Sequence, residues 1–271
     1  MTGRTAADAG LADRYALARA AGDEAARLTL RYFQSAGLTV ERKADASPVT
    51  RADREAESLL RERIEAAFPE DGILGEEFGE KPGAGGFRWI LDPIDGTQSF
   101  IHGVPLYGSL IGVERVADRR SVIGVLVLPA LGETVHACAG GGAWFESAAA
   151  RQPVPARVSE VAALEESLVC YTSVKGFDRG DERAAFQRMK SASRLLRGWG
   201  DCYGHALVAT GRAEAMVEPV MHVWDCAALQ PILEEAGGRC TDWSGAATIH
   251  SGNLIGSNGR VHGELLGLIA G

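Results

Sequence analysis

Residues 89–97 read Trp-Ile-Leu-Asp-Pro-Ile-Asp-Gly-Thr, and the rest of the chain takes its meaning from this stretch. Phe87 to Leu91 is a short apolar and aromatic run that predicts a buried strand ending at Asp92. Pro93 offers no amide to a sheet ladder, so a turn is expected directly after that carboxylate. Asp95 follows, and Gly96 with Thr97 opens a second apolar segment, from Phe100, that reads as a helix start. Each aspartate taken singly is a turn former or an N-cap. Two in one rigid turn repel, which calls for a shared proton or for a cation between them. The Gly96 and Thr97 amides favour the cation by offering an anion seat beside it. A metal next to a phosphate is the natural composite.

Upstream, Gly72-Ile73-Leu74-Gly75 predicts a strand that delivers Glu76 and Glu77 ahead of a Gly-rich loop, Gly79 to Gly86. Such a pair is either a solvated charge pair or a supply of ligands at a strand end. Before it, Pro48-Val49-Thr50 leads into a helix with Asp53, Glu55 and Glu57 ahead of Leu59, Leu60, Ile64 and Phe68. Thr50 with Asp53 has the form of a capping box, a structural device in its own right. A polar connector, Glu41 to Ser47, carries Lys43 and Asp45. Residues 7–37 predict a long amphipathic helix through Leu11, Tyr15, Leu17, Ala18, Ala25, Leu28, Leu30 and Phe33, ending at Gly37.

Downstream, strands at 107–113, 122–128 and 133–139 form an antiparallel meander. The Ala- and Pro-rich segment Ser147 to Ser159, with Arg151 and Arg157, marks a boundary between an N-terminal α+β subdomain, 1–150, and a C-terminal α/β subdomain, 151–271. The second part predicts a strand at 167–171, a helix at 181–191 and the loop Arg197-Gly198-Trp199-Gly200-Asp201 opening a helix at 203–210. A strand at 213–217 then ends at Glu218, and His222 to Leu229 opens a further helix with Asp225 near its start, as cap or as ligand. Residues 238–268 read as two short strands and a last helix.

Composition narrows the function classes. With 271 residues the chain has room for one or two domains, and a net charge of −8 argues against general nucleic-acid binding. Nothing approaches the roughly 18 to 20 apolar residues of a membrane span, and the N-terminal residues lack an apolar signal core, so no membrane partner and a cytoplasmic location are expected. Five scattered cysteines with no CxxC pair read as reduced thiols. The acids Glu76, Asp92, Asp95 and Asp225 all fall at strand ends or helix starts, and no histidine or cysteine joins them at zinc-like spacing. Oxygen-only donors, with the Ile94 carbonyl among them, select Mg²⁺ or Mn²⁺. Two such ions about 3.5 to 4 Å apart are the usual apparatus of phosphoryl hydrolysis.

Gly75-Glu76-Glu77, then WILDPIDGT, then Trp224-Asp225 with Ala227-Ala228 resemble the inositol monophosphatase superfamily, over nearly the whole chain from Lys43 to about Asp242. The resemblance implies a mixed α+β fold, a layered α/β/α/β/α sandwich of the inositol monophosphatase/fructose bisphosphatase type, usually a homodimer. It also implies Mg²⁺-dependent hydrolysis of a phosphate monoester, with two or three ions per site. Carried onto this chain, Glu76, Asp92, the Ile94 carbonyl, Asp95 and Asp225 are the metal ligands, and Gly96 and Thr97 hold the phosphate. Glu76 and the Thr97 hydroxyl, linked to Asp53, take the proton of the attacking water, and Asp53 alternatively completes a third metal site.

On the alcohol side, Arg197 to Asp201 and Ser99 to Pro105 resemble the histidinol-phosphate phosphatase branch. Asp201 stands where inositol-specific members carry small residues, and Glu218 is expected on the same side. Two acids there favour a leaving alcohol bearing an amine or imidazolium, so L-histidinol phosphate is the expected substrate, with Asp201, Glu218 and Arg197 as substrate residues. The alternative has Asp201 capping its helix in a broad inositol or sugar phosphatase. A protein that binds metal and phosphometabolite without turnover is the remote third reading.

Overall fold

The protein is described by a computed structural model covering residues 6–43, 47–150 and 152–271. Asp45 and Arg151 lie outside the described residues. Helix α1 (Ala6–Leu30) buries Ala18, Ala21, Ala25, Ala26 and Leu28 on one face. It stops short of the expected Gly37. Gln34 sits at φ +57, and the chain leaves the helix so that Phe33 lies against Phe100 and Tyr107, ring centroids 5.8 and 5.0 Å away. A tertiary aromatic cluster overrides local periodicity there.

The antiparallel pair β1 (Val40–Arg42) and β2 (Pro48–Thr50) leads into α2 (Arg51–Ala67). Thr50 caps that helix, and the capping box with Asp53 forms as its spacing predicts. Strands β3 (Gly72–Gly75) and β4 (Gly79–Lys81) follow, the second falling inside what reads as a Gly-rich loop. Next comes β5 (Phe87–Asp95), and the expected turn after Asp92 is absent. The strand carries on through Pro93 with a register shift between Asp92 and Asp95, and Asp95 pairs opposite Gly108. A bulge tolerates a residue without an amide donor, so proline bends the strand and does not end it.

Helix α3 (Thr97–Ile101) then precedes the meander β6 (Gly108–Arg115), β7 (Arg120–Leu128), β8 (Glu133–Cys138), β9 (Ala143–Ser147) and β10 (Val154–Pro155). The first sheet has eight strands in the order β10-β9-β8-β7-β6-β5-β3-β4, with only the β3–β5 pairing parallel. The remaining elements are β11 (Leu168–Cys170), α4 (Glu182–Ala192), β12 (Leu195–Arg197), α5 (Asp201–Ala209), β13 (Ala215–Glu218), α6 (Val223–Ala227), α7 (Leu229–Glu235), β14 (Arg239–Thr241), β15 (Leu254–Ser257) and α8 (His262–Ala270). They build a five-stranded sheet, β12-β11-β13-β15-β14.

Three large apolar cores hold the layers, and a smaller one gathers Ala52, Ile94, Phe100 and Tyr107. Helices α1 and α2 cover one face of the large sheet, through Leu60, Ile64, Trp89 and Ile111. Helices α5, α6 and α7 lie between the two sheets, around Leu110, Leu126, Met216, Ile232 and Leu254. Helices α4 and α8 close the outer face of the small sheet, around Phe177, Phe186 and Leu265. The result is the α/β/α/β/α sandwich. All five cysteines are free, and no helix among the described residues is long and apolar enough to cross a membrane.

Candidate active site

A cleft of about 300 Å³ opens where β5 ends, with Glu76, Asp92, Asp95, Gly96, Thr97 and Asp225 in its wall and Lys43, His222 and Trp224 at its edges. Asp92, Asp95 and Asp225 each offer an oxygen, and these oxygens all lie within 4.8 Å of one another. Burial raises the Asp92 carboxyl well above its usual range, and the charges of Glu76, Asp95 and Asp225 add to it. Asp95 and Asp225 are each pushed up to about 7, by burial first and then by neighbouring carboxylates. Three carboxylates packed this closely leave a deficit of positive charge that a divalent cation fits. The donors are all oxygen, which suits a hard ion.

The local chain explains each placement. The β5 bulge turns Asp92 back on itself, so that the Ile94 amide donates to Asp92 Oδ1 at 3.1 Å. Gly96 at φ +82 allows the switch from strand to α3, and the Thr97 hydroxyl donates to the Ile94 carbonyl at 3.1 Å. Asp225 Oδ2 accepts from the His222 amide at 2.7 Å, so the same side chain starts α6 and lines the cleft. Cap and site residue coincide. Asp95 Oδ2 accepts from the amide of Cys202, in the first turn of α5.

Glu76 lines the same cleft at the flank of the tight triad, close enough to Asp92 to help raise its carboxyl. Lys43 Nζ reaches its Oε1 at 2.7 Å and that of Glu77 at 2.6 Å. Burial opposes the Lys43 charge, yet the two glutamates outweigh it and hold the ammonium pKa above its usual value. Glu77 is pushed up to about 7, chiefly by burial. Beneath them sits Glu57, fully buried, accepting from the Glu77 amide at 2.7 Å, the Phe78 amide at 3.2 Å and Arg61 Nε at 2.8 Å. A Cβ at residue 75 would lie 2.1 Å from Glu57 Oε1, so only glycine fits before Glu76. Sequence reasoning passes over Glu57, although Asp53, Glu57, Leu60 and Ile64 fall at helical spacing on one buried face.

Asp53 is buried, and its Oδ2 accepts from the Thr50 amide at 2.8 Å and the Thr50 hydroxyl at 2.5 Å. Burial pushes it up to about 6, against those hydrogen bonds and with help from Glu76. Among the described residues no direct hydrogen bond joins Thr97 to Asp53: the Thr97 hydroxyl donates to the Ile94 carbonyl, and Asp53 accepts from its cap, Thr50.

On the other wall, Asp201 lies beside Gly96, since a Cβ there would come 3.1 Å from Asp201 Oδ2. Asp201 does not cap α5 with its side chain; Gly200 is the cap residue. Its carboxyl is pushed up to about 7 by burial and then by Asp95. Glu218, at the end of β13, is buried and its pKa driven well up, burial again leading. Thr172, which carries no sequence signal, donates to Glu218 Oε1 and accepts from the Asp201 amide at 2.7 Å. Arg197 is exposed and donates to the neighbouring Leu196 carbonyl at 3.1 Å, apart from these acids. His222 stacks on Trp224 with ring centroids 4.8 Å apart, while His102 donates within its own turn to the Gln98 carbonyl at 2.8 Å.

The sandwich and its acidic cleft define a class, and comparison with known proteins agrees. The Inositol monophosphatase family matches residues 11–270, and the chain belongs to that family, making it a metal-dependent phosphoric monoester hydrolase. The chain is 45% identical over 254 residues to the histidinol-phosphatase of Chlorobaculum parvum, covering 93% of this chain and 95% of that one. To the histidinol-phosphatase of Mycobacterium tuberculosis it is 39% identical, covering 94% and 96%. The inositol-1-monophosphatase of Rhizobium meliloti is 34% identical, covering 83% of each. Among solved structures, the Thermotoga maritima IMPase superposes with a TM-score of 0.82 at 32% identity, covering 95% of this chain and 97% of that one.

Proposed function

We propose that the protein is a Mg²⁺-dependent histidinol-phosphatase, converting L-histidinol phosphate and water into L-histidinol and phosphate. The observation that carries this reading is the second acidic wall, in which Asp201 leans on Gly96 and shares Thr172 with Glu218. The likeness to histidinol-phosphatases at 36–45% identity supports it.

Asp92, Asp95, Asp225, Glu76 and the Ile94 carbonyl would hold two Mg²⁺ ions, or Mn²⁺ in their place, with Asp53 near enough to Glu76 to serve a third. Bound there, the ions lower the pKa of water and neutralise charge on the ester oxygens. The amides of Gly96 and Thr97 seat the phosphate. Glu76 accepts the proton of the attacking water, and the Thr97 hydroxyl, fixed by its bond to Ile94, orients that water. Attack is direct, with no covalent enzyme intermediate. Asp201 and Glu218 select an alcohol that carries positive charge, with Arg197 as a further substrate residue at the exposed end of β12.

A homodimer in the cytoplasm acting in histidine biosynthesis is the setting the family resemblance supports. Phosphate release from L-histidinol phosphate, silenced by chelator and restored by Mg²⁺, tests the activity. The rival inositol-1-phosphate or sugar-phosphate reading draws on the Rhizobium meliloti relative and predicts turnover indifferent to charge on the alcohol.

A further inference from the structure

We propose that Thr172 is the positioning residue for the alcohol side of the site, one hydroxyl setting the geometry of both Asp201 and Glu218. The proposal rests on the reading of those two acids as the groups that meet the leaving alcohol.

Thr172 lies two residues past the end of β11, where the chain leaves the small sheet. A hydroxyl has one proton and two lone pairs. The proton goes to Glu218 Oε1 at the end of β13, and a lone pair takes the Asp201 amide at 2.7 Å at the start of α5. Three elements therefore meet on one oxygen. Among the described residues no other hydrogen bond reaches the Glu218 carboxylate, so Thr172 alone fixes that buried group by this means.

The second partner is under strain. Asp201 sits at φ +53, a left-handed backbone that non-glycine residues adopt rarely and aspartate more readily than most. Anchoring its amide on Thr172 holds it there. Two consequences follow in space: the Asp201 carboxylate comes against Gly96, and the next amide, that of Cys202, meets Asp95 Oδ2. Loss of the Thr172 hydroxyl releases Glu218 outright and Asp201 in part, and reaches the metal-side acids only at one remove, through the Cys202 amide on Asp95; among the described residues no hydrogen bond joins Thr172 to Asp92, Glu76 or Asp225. The effect should thus fall on the choice of alcohol more than on the chemistry at phosphorus.

Thr172→Val keeps the branched shape and removes the hydroxyl, and Thr172→Ser keeps the hydroxyl. With Mg²⁺ present, Thr172→Val should lower kcat/KM for L-histidinol phosphate about 10- to 100-fold, mostly through KM, the range for a hydrogen bond to a charged group. For inositol 1-phosphate the loss should stay within about threefold, and Thr172→Ser should restore most of the discrimination. In an Asp201→Asn, Glu218→Gln background, where both charges that it positions are gone, Thr172→Val should add little further. Should Thr172→Val fail to fold, Thr172→Ala serves with the same expectations. Equal losses on both esters, no loss at all, or failure of Thr172→Ser to rescue overturns the role of Thr172 while leaving the substrate assignment standing. A wild-type protein that ignores L-histidinol phosphate overturns both.

Discussion

The amide of Cys202 donates to Oδ2 of Asp95, hooking the first turn of α5 onto the last residue of β5. The bond joins the large-sheet half of the cleft to the small-sheet half, so one aspartate serves as metal-side acid and as a latch between layers. Asn at 95 would keep an acceptor for Cys202 and lose the charge. Asp95→Asn should therefore fold. Without metal it should be more stable than wild type by about 1 kcal/mol, or about 2 to 4 °C in Tm, because it relieves like-charge crowding with Asp92 and Asp225. Wild type should gain stability from Mg²⁺, about 2.7 kcal/mol at a hundredfold excess over Kd, and the variant should gain almost none. Thermal melts with chelator and with Mg²⁺ check both signs.

Gly75 and Glu57 form a close pair that sequence reading overlooks. Gly75→Ala drives a methyl group into a buried carboxylate and should cost about 1 to 3 kcal/mol in urea unfolding, while lowering activity by displacing Glu76. Glu57→Ala strips the Glu77 and Phe78 amides of their acceptor and takes from Arg61 its carboxylate partner, leaving it the Gly79 carbonyl, a loss of about 3 kcal/mol. The double variant should be more stable than the sum of the two losses, since the clash has gone. Strict additivity would contradict the contact.

Acid should weaken the fold through buried histidines. Burial pushes His205 down to about 3, and its ring nitrogens have no hydrogen-bond partner among the described residues. His262 is pushed down to about 4, by burial first and then by Arg239. Unfolded, both rings take a proton below about pH 6.5; folded, they stay neutral. Their stabilisation is complete above that pH and is lost as pH falls toward 4 and then 3, at up to about 1.4 kcal/mol per pH unit for each ring. Carboxyls raised by burial run the other way, so the test compares wild type with His205→Leu in metal-free buffer. Wild type should lose ground to the variant steadily from pH 6.5 to 4.5. A constant difference would contradict the assignment.

Charge on the alcohol side should be separable from backbone shape. Asparagine tolerates the left-handed backbone at 201 as aspartate does, so Asp201→Asn should fold normally. Its kcat/KM for L-histidinol phosphate should fall about tenfold, with that for inositol 1-phosphate level or higher, the signature of one lost charge contact. Equal losses on the two esters would place Asp201 outside substrate recognition.

The strand from 87 and the helix start at 97 were legible because an apolar run and a Gly-Thr pair each restrict the backbone locally. Legibility ended where distant contacts decide. Periodicity carries α1 to Gly37, but Phe33 finds Phe100 and Tyr107 and the helix ends at Leu30. Proline predicts a turn at 93, but eight-stranded pairing on both sides converts it to a bulge. The metal-side acids announce themselves by position at strand ends, whereas Glu57 hides in a charged helix and Lys43 in a polar connector. Thr172 is silent in one dimension, because its role exists only once β11, β13 and α5 meet.

Mg²⁺-assisted phosphate hydrolysis joined to selection for a cationic alcohol is the activity proposed for this cleft. Its most direct test is kcat/KM for L-histidinol phosphate, inositol 1-phosphate and fructose 1,6-bisphosphate, measured side by side with Mg²⁺. The expected result is a preference of at least about tenfold for L-histidinol phosphate, with turnover abolished by chelator. A preference for inositol 1-phosphate or fructose 1,6-bisphosphate would contradict it.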